Sequence, residues 1–115
     1  MAAHVDPPRI LMCPPLFYGI EYEINPWMNT KRQVNHALAV EQWNGLRAAF
    51  AQAGATIETM MPIQGLPDLV FTANAAVVYR DRAIVAQFKH PQRQGETFFD
   101  WAWLASDGFN VVAPP

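Results

Sequence analysis

The spacing of apolar residues predicts a short strand and then a long helix in the first half of the chain. Residues Arg9 to Cys13 form a mostly apolar run that ends at Pro14-Pro15, as expected for a buried strand with an abrupt end. From Gln33 to Ala53, apolar residues recur with the period of a helix. Asn35 is its predicted N-cap and Gly54 its C-terminal stop. The predicted apolar face consists of Ala39, Trp43, Leu46, Phe50 and Ala53.

The second half of the chain alternates short apolar runs with turns and polar loops. Arg80-Asp81-Arg82 separates two of these runs and predicts a hairpin with a charged tip. A polar loop, Lys89 to Glu96, leads into a second helix over roughly Gln94 to Ser106, which stops at Gly108. The predicted strands are residues 55–61, 69–72, 75–79, 83–88 and 109–113, and the buried face of the second helix is Phe98, Trp101, Ala102 and Ala105. We therefore predict an α/β fold in the order β-α-β-β-β-α-β.

One segment, Gly65 to Val78, places polar residues between two apolar runs. Unpaired polar groups in a core cost free energy, so this arrangement needs a structural or functional reason. If residues 69–72 form a strand, its period of two puts Asp68, Thr72 and Asn74 on one face. The pattern then predicts an acid and an amide that point into one cleft.

Composition favours one well-buried globular domain. The chain has 115 residues, of which 51% are hydrophobic and 16% charged, unlike a disordered segment. We expect residues 1–8 to form a flexible N-terminal tail and residues 9–115 to form the domain.

Charge and cysteine content exclude several classes of function. The net charge of −2 provides no basic surface for nucleic acid. No run approaches the roughly 20 apolar residues of a membrane span, and MAAHVDPPR lacks a signal-peptide core. A single cysteine excludes an internal disulfide and fits a reducing compartment, so we predict a cytoplasmic protein without a nucleic-acid or membrane partner.

Cys13 and the histidines carry no recognisable catalytic or metal-binding pattern. Free cysteines are often core residues, and a small buried side chain at a strand end is the favoured interpretation of Cys13. His36 has no second ligand at helical spacing, and His4 and His90 match no catalytic motif. We predict no metal and no cofactor.

Three segments carry a family resemblance: PDLVFTANA, LMCPPLFYGIEYEINPWMN and FKHPQRQGE. Together they resemble the N-terminal part of the guanidino-group-modifying superfamily, which includes arginine deiminases, dimethylarginine dimethylaminohydrolases and amidinotransferases. The branch of arginine dihydrolases and related amidinotransferase-like hydrolases, which carries FTANA, is the most similar. The resemblance implies a partial pentein fold, an α/β-propeller of ββαβ-type modules, of which this chain would supply about two.

The resemblance also implies substrate-binding roles for Asp68 and Asn25. Asp68 matches the aspartate of a PDxVF motif that helps to bind substrate in dimethylarginine hydrolases, and a carboxylate can accept two parallel hydrogen bonds from a guanidinium. The alternative is an aspartate that stabilises the turn after Pro67. Asn25 matches a pocket-lining position of the dihydrolase-like branch, and its alternative is a cap for the turn before Pro26.

Asn74 and Arg93 complete the set of candidate substrate-binding residues. Asn74 stands where deiminases carry an acid that grips the guanidinium, and the dihydrolase-like branch typically has asparagine there. Its alternative is a strand-end residue that satisfies backbone groups. Arg93 matches an arginine that pairs with a substrate carboxylate or braces the site, and its alternative is an exposed arginine at the start of the second helix.

The catalytic groups that the resemblance implies are absent from these 115 residues. Family members use a cysteine thiolate and a histidine that lie further along a chain about twice as long or more. One hypothesis is an N-terminal segment of a guanidino-group hydrolase, inactive alone and completed by the remainder of the enzyme. A second is a non-catalytic module that self-associates into a homo-oligomer. A third, in which Cys13 and a histidine perform unfamiliar chemistry, has no supporting spacing.

Overall fold

The computed structural model describes residues 6–115, and its first sheet contains two parallel strands joined by a helix. Strand β1 (Arg9–Met12) pairs with β2 (Thr56–Thr59), and helix α1 (His36–Gln52) makes the crossover that parallel strands require. Asn35 caps α1 because its side-chain oxygen accepts a hydrogen bond from the backbone N–H of Leu38 at 3.1 Å. Gly54 follows the helix with φ +98°, a conformation that favours glycine. The predicted strand, helix and cap are confirmed.

A second sheet contains three strands in the order β3-β4-β5. β3 (Ala76–Tyr79) and β4 (Arg82–Val85) form the predicted antiparallel hairpin. β5 (Asn110–Val112) pairs in parallel with β4. A short helix, α2 (Pro91–Gln94), and a longer one, α3 (Glu96–Ser106), connect β4 to β5, so part of the predicted polar loop is helical.

The predicted strand over residues 69–72 is wrong. Two 3-10 turns, Pro67–Val70 and Thr72–Asn74, occupy this segment. Pro67 has the fixed φ that starts such a turn, and each turn is closed locally, for example by Phe71 N–H donating to the carbonyl of Asp68 at 3.0 Å. The shared face predicted from period two is therefore also wrong. The Thr72 hydroxyl instead donates to the carbonyl of Leu11 at 2.7 Å.

The predicted buried face of the second helix is also wrong. Phe98 is 70% exposed and Trp101 is 37% exposed, whereas Glu96, Asp100 and Leu104 are buried. Apolar residues occur on more than one side of α3, so their spacing does not decide which side packs inward. An ion pair between Glu96 and Arg93 fixes the orientation, because a buried carboxylate needs a partner.

The core is small and lies beside the two 3-10 turns. Its main cluster contains the buried Cys13, Met60 and Leu69, against which Leu11, Ile63, Leu66, Phe99 and Trp103 pack. Other buried apolar residues are Met12, Ala75, Ala83, Val85 and Leu104. No residue of α1 is fully buried, so its predicted apolar face is covered only in part. The first strand, the turns and α3 thus meet at one place, next to the candidate site.

Candidate functional site

All four predicted site residues line one open cleft of about 490 Å³. Asn25, Asp68, Asn74 and Arg93 supply its polar groups, and the remaining lining is mostly apolar or aromatic: Tyr18, Gly19, Ile20, Ile24, Trp27, Met28 and Phe71. A cleft with an apolar wall and a few convergent polar groups is typical of a small-molecule site.

The two 3-10 turns place Asp68 and Asn74 at this cleft. Asp68 lies in the first turn and Asn74 ends the second, and each turn reverses the chain over a few residues. The two side chains line one cleft, but through the geometry of the turns and not through the predicted shared face of a strand. The ring of Phe71, between the turns, is perpendicular to the ring of Tyr18 with 5.7 Å between their centroids, which holds the segment over residues 16–29 (the aromatic loop) against the turns.

Asp68 accepts a short hydrogen bond from a residue that sequence reasoning missed. The Tyr22 hydroxyl donates to its Oδ2 at 2.5 Å, and Arg93 Nε lies 3.9 Å from the same oxygen. Burial raises the pKa of Tyr22, and the hydrogen bond to Asp68 raises it further, so the phenol stays neutral and acts as a donor. The aspartate is 6% exposed.

Arg93 is held by contacts on several sides of its guanidinium. Its Nε and Nη2 donate to the two carboxylate oxygens of Glu96 at 2.7 and 2.9 Å. Nη1 donates to Asn74 Oδ1 at 3.3 Å, and Nη2 also donates to the backbone carbonyl of Asp68 at 3.3 Å. The ring of Phe88 lies 4.3 Å from the guanidinium carbon. Burial alone lowers the pKa of Arg93, but the hydrogen bonds and charge of Glu96 raise it overall, so the side chain stays charged.

Sequence reasoning did not predict that two carboxylates of α3 are buried. Glu96 and Asp100 are each 2% exposed, and only the spacing of Arg93 and Glu96, three residues apart, hints at their ion pair. Burial raises the pKa of Asp100 to about 7; the charge of Glu96 adds to this effect and that of Arg93 opposes it. The alternative interpretation of Arg93, an exposed arginine at the start of the second helix, does not fit this buried pair.

Asn25 lines the cleft and also caps its own turn. Its side-chain oxygen accepts hydrogen bonds from the backbone N–H groups of Trp27 and Met28, at 3.0 and 3.1 Å. The two interpretations left open from sequence are therefore compatible: the capped turn fixes a side chain that faces the cleft.

Cys13 lacks the environment of a nucleophile. It is 1% exposed, and burial, together with the charges of Asp100 and Glu96, raises its pKa to about 11. The thiol is therefore neutral near pH 7, which fits a core role. His36, in turn, holds the start of the aromatic loop, since its Nε2 lies 2.9 Å from the carbonyl oxygen of Pro15.

Comparison with known proteins places these features in a family, although no protein-family model matches the sequence. The chain is 38% identical over 104 residues to N(G),N(G)-dimethylarginine dimethylaminohydrolase of Mycobacterium tuberculosis, which covers 90% of this chain and 34% of that protein. It is 40% identical over 111 residues to the bifunctional arginine dihydrolase/ornithine cyclodeaminase ArgZ of Synechocystis, covering 96% of this chain and 16% of ArgZ. The crystal structure of the ArgZ N-terminal domain bound to product superposes with a TM-score of 0.88 over 96% of this chain and 40% of that structure.

The chain matches the N-terminal part of guanidino-group-modifying enzymes of the pentein superfamily. A dimethylarginine dimethylaminohydrolase structure that is 19% identical shares the fold, with a TM-score of 0.72. This chain spans well under half the length of these relatives.

Two features are absent from residues 6–115. In that range, no group of three or more His, Cys, Asp or Glu side chains has a geometry that could hold a metal ion. None of the helices within the same residues has both the length and the apolar character to cross a bilayer.

Proposed function

We propose that the chain forms one wall of the substrate cleft of a guanidino-group hydrolase that acts on arginine or an arginine derivative. The convergence of Asn25, Asp68, Asn74 and Arg93 on one cleft carries this proposal. Hydrolysis of the C–N bond would use a cysteine and a histidine that these residues do not include, so the isolated chain would be inactive.

The charges at the cleft favour a cationic ligand. Two carboxylates, Asp68 and Glu96, surround the single guanidinium of Arg93. These three largely buried groups therefore carry a net negative charge. A planar guanidinium fits a carboxylate acceptor beside an aromatic and apolar wall. Related proteins support this choice, since crystal structures of AgrE contain L-arginine in one complex and ornithine with NAD+ in another.

Ligand binding to the isolated chain tests the proposal. We expect L-arginine to shift the NMR signals of the Asn74 side-chain amide and of Tyr22, whereas L-norleucine, which lacks the guanidinium, should leave them unchanged. Asp68→Asn should weaken arginine binding about tenfold, because it removes the charged acceptor, and the exposed Asp81→Asn should not. Equal responses to the two ligands would contradict the binding role. Release of ornithine or citrulline by the chain alone would contradict its inactivity.

A second candidate function is a self-associating, non-catalytic module. Val77, Ile84 and Val112 lie side by side across the three-stranded sheet and are 71%, 42% and 45% exposed. An apolar row of this kind is a typical contact surface, either for a second copy or for the remainder of the enzyme. The β3-β4-α3-β5 segment fits one ββαβ module of a partial propeller, and β1-α1-β2 fits most of another. A cytoplasmic location stays a prediction.

A further inference from the structure

Glu96 is a buried acid whose two carboxylate oxygens both contact one cleft residue. Its side chain is 2% exposed, and Oε2 and Oε1 accept hydrogen bonds from Nε and Nη2 of Arg93 at 2.7 and 2.9 Å. A bidentate carboxylate–guanidinium pair is planar and fixes orientation as well as charge. Glu96 is not among the residues that line the cleft, so its effect on a ligand must pass through Arg93.

The pair determines which part of Arg93 faces the cleft. The Nε–Nη2 edge is paired with Glu96, and the ring of Phe88 lies 4.3 Å from the guanidinium carbon on one face, so rotation of the guanidinium would break both contacts. Its Nη1 therefore meets the Asn74 side-chain oxygen at 3.3 Å. One lone pair of that oxygen is then used, and its orientation is fixed, so its second lone pair and the Asn74 NH₂ group remain available to a ligand in a defined direction.

We propose that Glu96 is a positioning residue that aligns Arg93, and through Arg93 the side-chain amide of Asn74, for ligand binding in the cleft. The inference rests on the proposed function for the identity of the ligand, but the alignment itself exists without ligand. Glu96 sits at the first position of α3, and Arg93 precedes it by three residues, so the short α2 turn and the start of α3 set the geometry together.

Side-chain NMR of the ligand-free chain tests the alignment directly. We expect the Arg93 Nε–H to exchange with water at least about tenfold more slowly than that of the exposed Arg47, because a buried carboxylate protects it. Glu96→Gln should abolish this protection and shift the Asn74 side-chain amide signals. Asp100→Asn is the matched control: it makes the same acid-to-amide change at the same 2% exposure on α3, without a hydrogen bond to Arg93. It should leave the protection in place.

Arginine titration then measures the consequence for binding. Glu96→Gln should weaken L-arginine binding about tenfold, and Glu96→Asp, which keeps the charge but is shorter, should recover part of the loss. Asp100→Asn should change affinity by less than about twofold. Equal losses in the two amide variants would overturn the proposal, since both would then act only through the fold.

The outcomes separate this inference from the proposed function. If wild-type Arg93 Nε–H exchanges as fast as that of Arg47, the positioning role is wrong, even when Glu96→Gln fails to fold. If the protection is present but L-arginine does not bind the wild type, the alignment stands and the proposed ligand is wrong.

Discussion

At the scale of single residues, Tyr22 connects the aromatic loop to the polar side of the cleft through one short hydrogen bond to Asp68. Tyr22→Phe removes the donor and keeps the ring, so the largely buried carboxylate loses a partner. We expect the free energy of unfolding to fall by about 1 to 2 kcal/mol, as measured by urea denaturation. Tyr79→Phe is the control, because Tyr79 is 68% exposed. Equal effects of the two substitutions would mean that the Tyr22 hydroxyl has no special role.

The raised pKa of Asp100 should make the free energy of unfolding depend on pH. Burial raises its pKa from 3.8 to about 7; the nearby charge of Glu96 raises it further, and the charge of Arg93 opposes the increase. The folded state therefore binds the proton more tightly than the unfolded state. This stabilising contribution is complete below about pH 4 and is lost as the pH rises to about 7.

Asp100→Asn should remove that contribution to the pH dependence. The amide is uncharged at every pH, so the variant should gain about 2 to 4 kcal/mol relative to wild type between pH 4 and pH 8. Urea denaturation at several pH values measures the difference between the two profiles, and Asp81→Asn on the exposed hairpin tip controls for general charge effects. Parallel profiles for wild type and Asp100→Asn would show that this carboxylate titrates normally.

At the scale of secondary-structure elements, helix α1 depends on local signals. Asn35 caps its first turn through a hydrogen bond to the N–H of Leu38, and no residue of the helix is fully buried. Because packing contributes little, Asn35→Ala should lower the free energy of unfolding by about 1 kcal/mol. Asn44→Ala, an exposed change within the same helix, should have the opposite or no effect, since alanine favours helices. Loss of helical circular dichroism on heating compares the two variants.

Local signals also explain which elements the sequence could predict. The Asn35 cap and Gly54 mark the two ends of α1, and both act through neighbouring residues in the sequence. The charged tip between β3 and β4 likewise marks a hairpin through adjacent residues. The strand prediction for residues 69–72 fails because a short apolar run is compatible with either a strand or a turn. Here Pro67 and the local i to i+3 hydrogen bonds produce 3-10 turns.

Long-range contacts account for the parts of the site that were not predicted. Tyr22 meets Asp68 across 46 residues, and nothing near Tyr22 in sequence marks this contact. The inward face of α3 depends on the ion pair between Glu96 and Arg93. A prediction based on apolar residues alone places charged side chains such as Glu96 on the outside of the helix. The four predicted cleft residues were found through motif resemblance, which carries long-range information that hydrophobic periodicity lacks.

At the scale of the whole molecule, the chain is less compact than its length predicts. Its radius of gyration is 15.7 Å, compared with about 13 Å for a typical domain of 100 residues, and it measures 56 by 36 by 23 Å. Many large apolar side chains are exposed, including the row formed by Val77, Ile84 and Val112. A shape of this kind favours association, since covering apolar area releases roughly 25 cal/mol per Å².

The apolar row makes self-association a testable property of the isolated chain. Val77 lies on edge strand β3 and is 71% exposed, so Val77→Lys places a charge in the row without disturbing the core. We expect sedimentation velocity to show a concentration-dependent oligomer for the wild type and a shift towards monomer for the variant. Met61→Lys makes a comparable change at 78% exposure outside the row and should leave the oligomer intact. A wild-type monomer at high micromolar concentration would exclude the homo-oligomer, and the row would then serve the remainder of the enzyme.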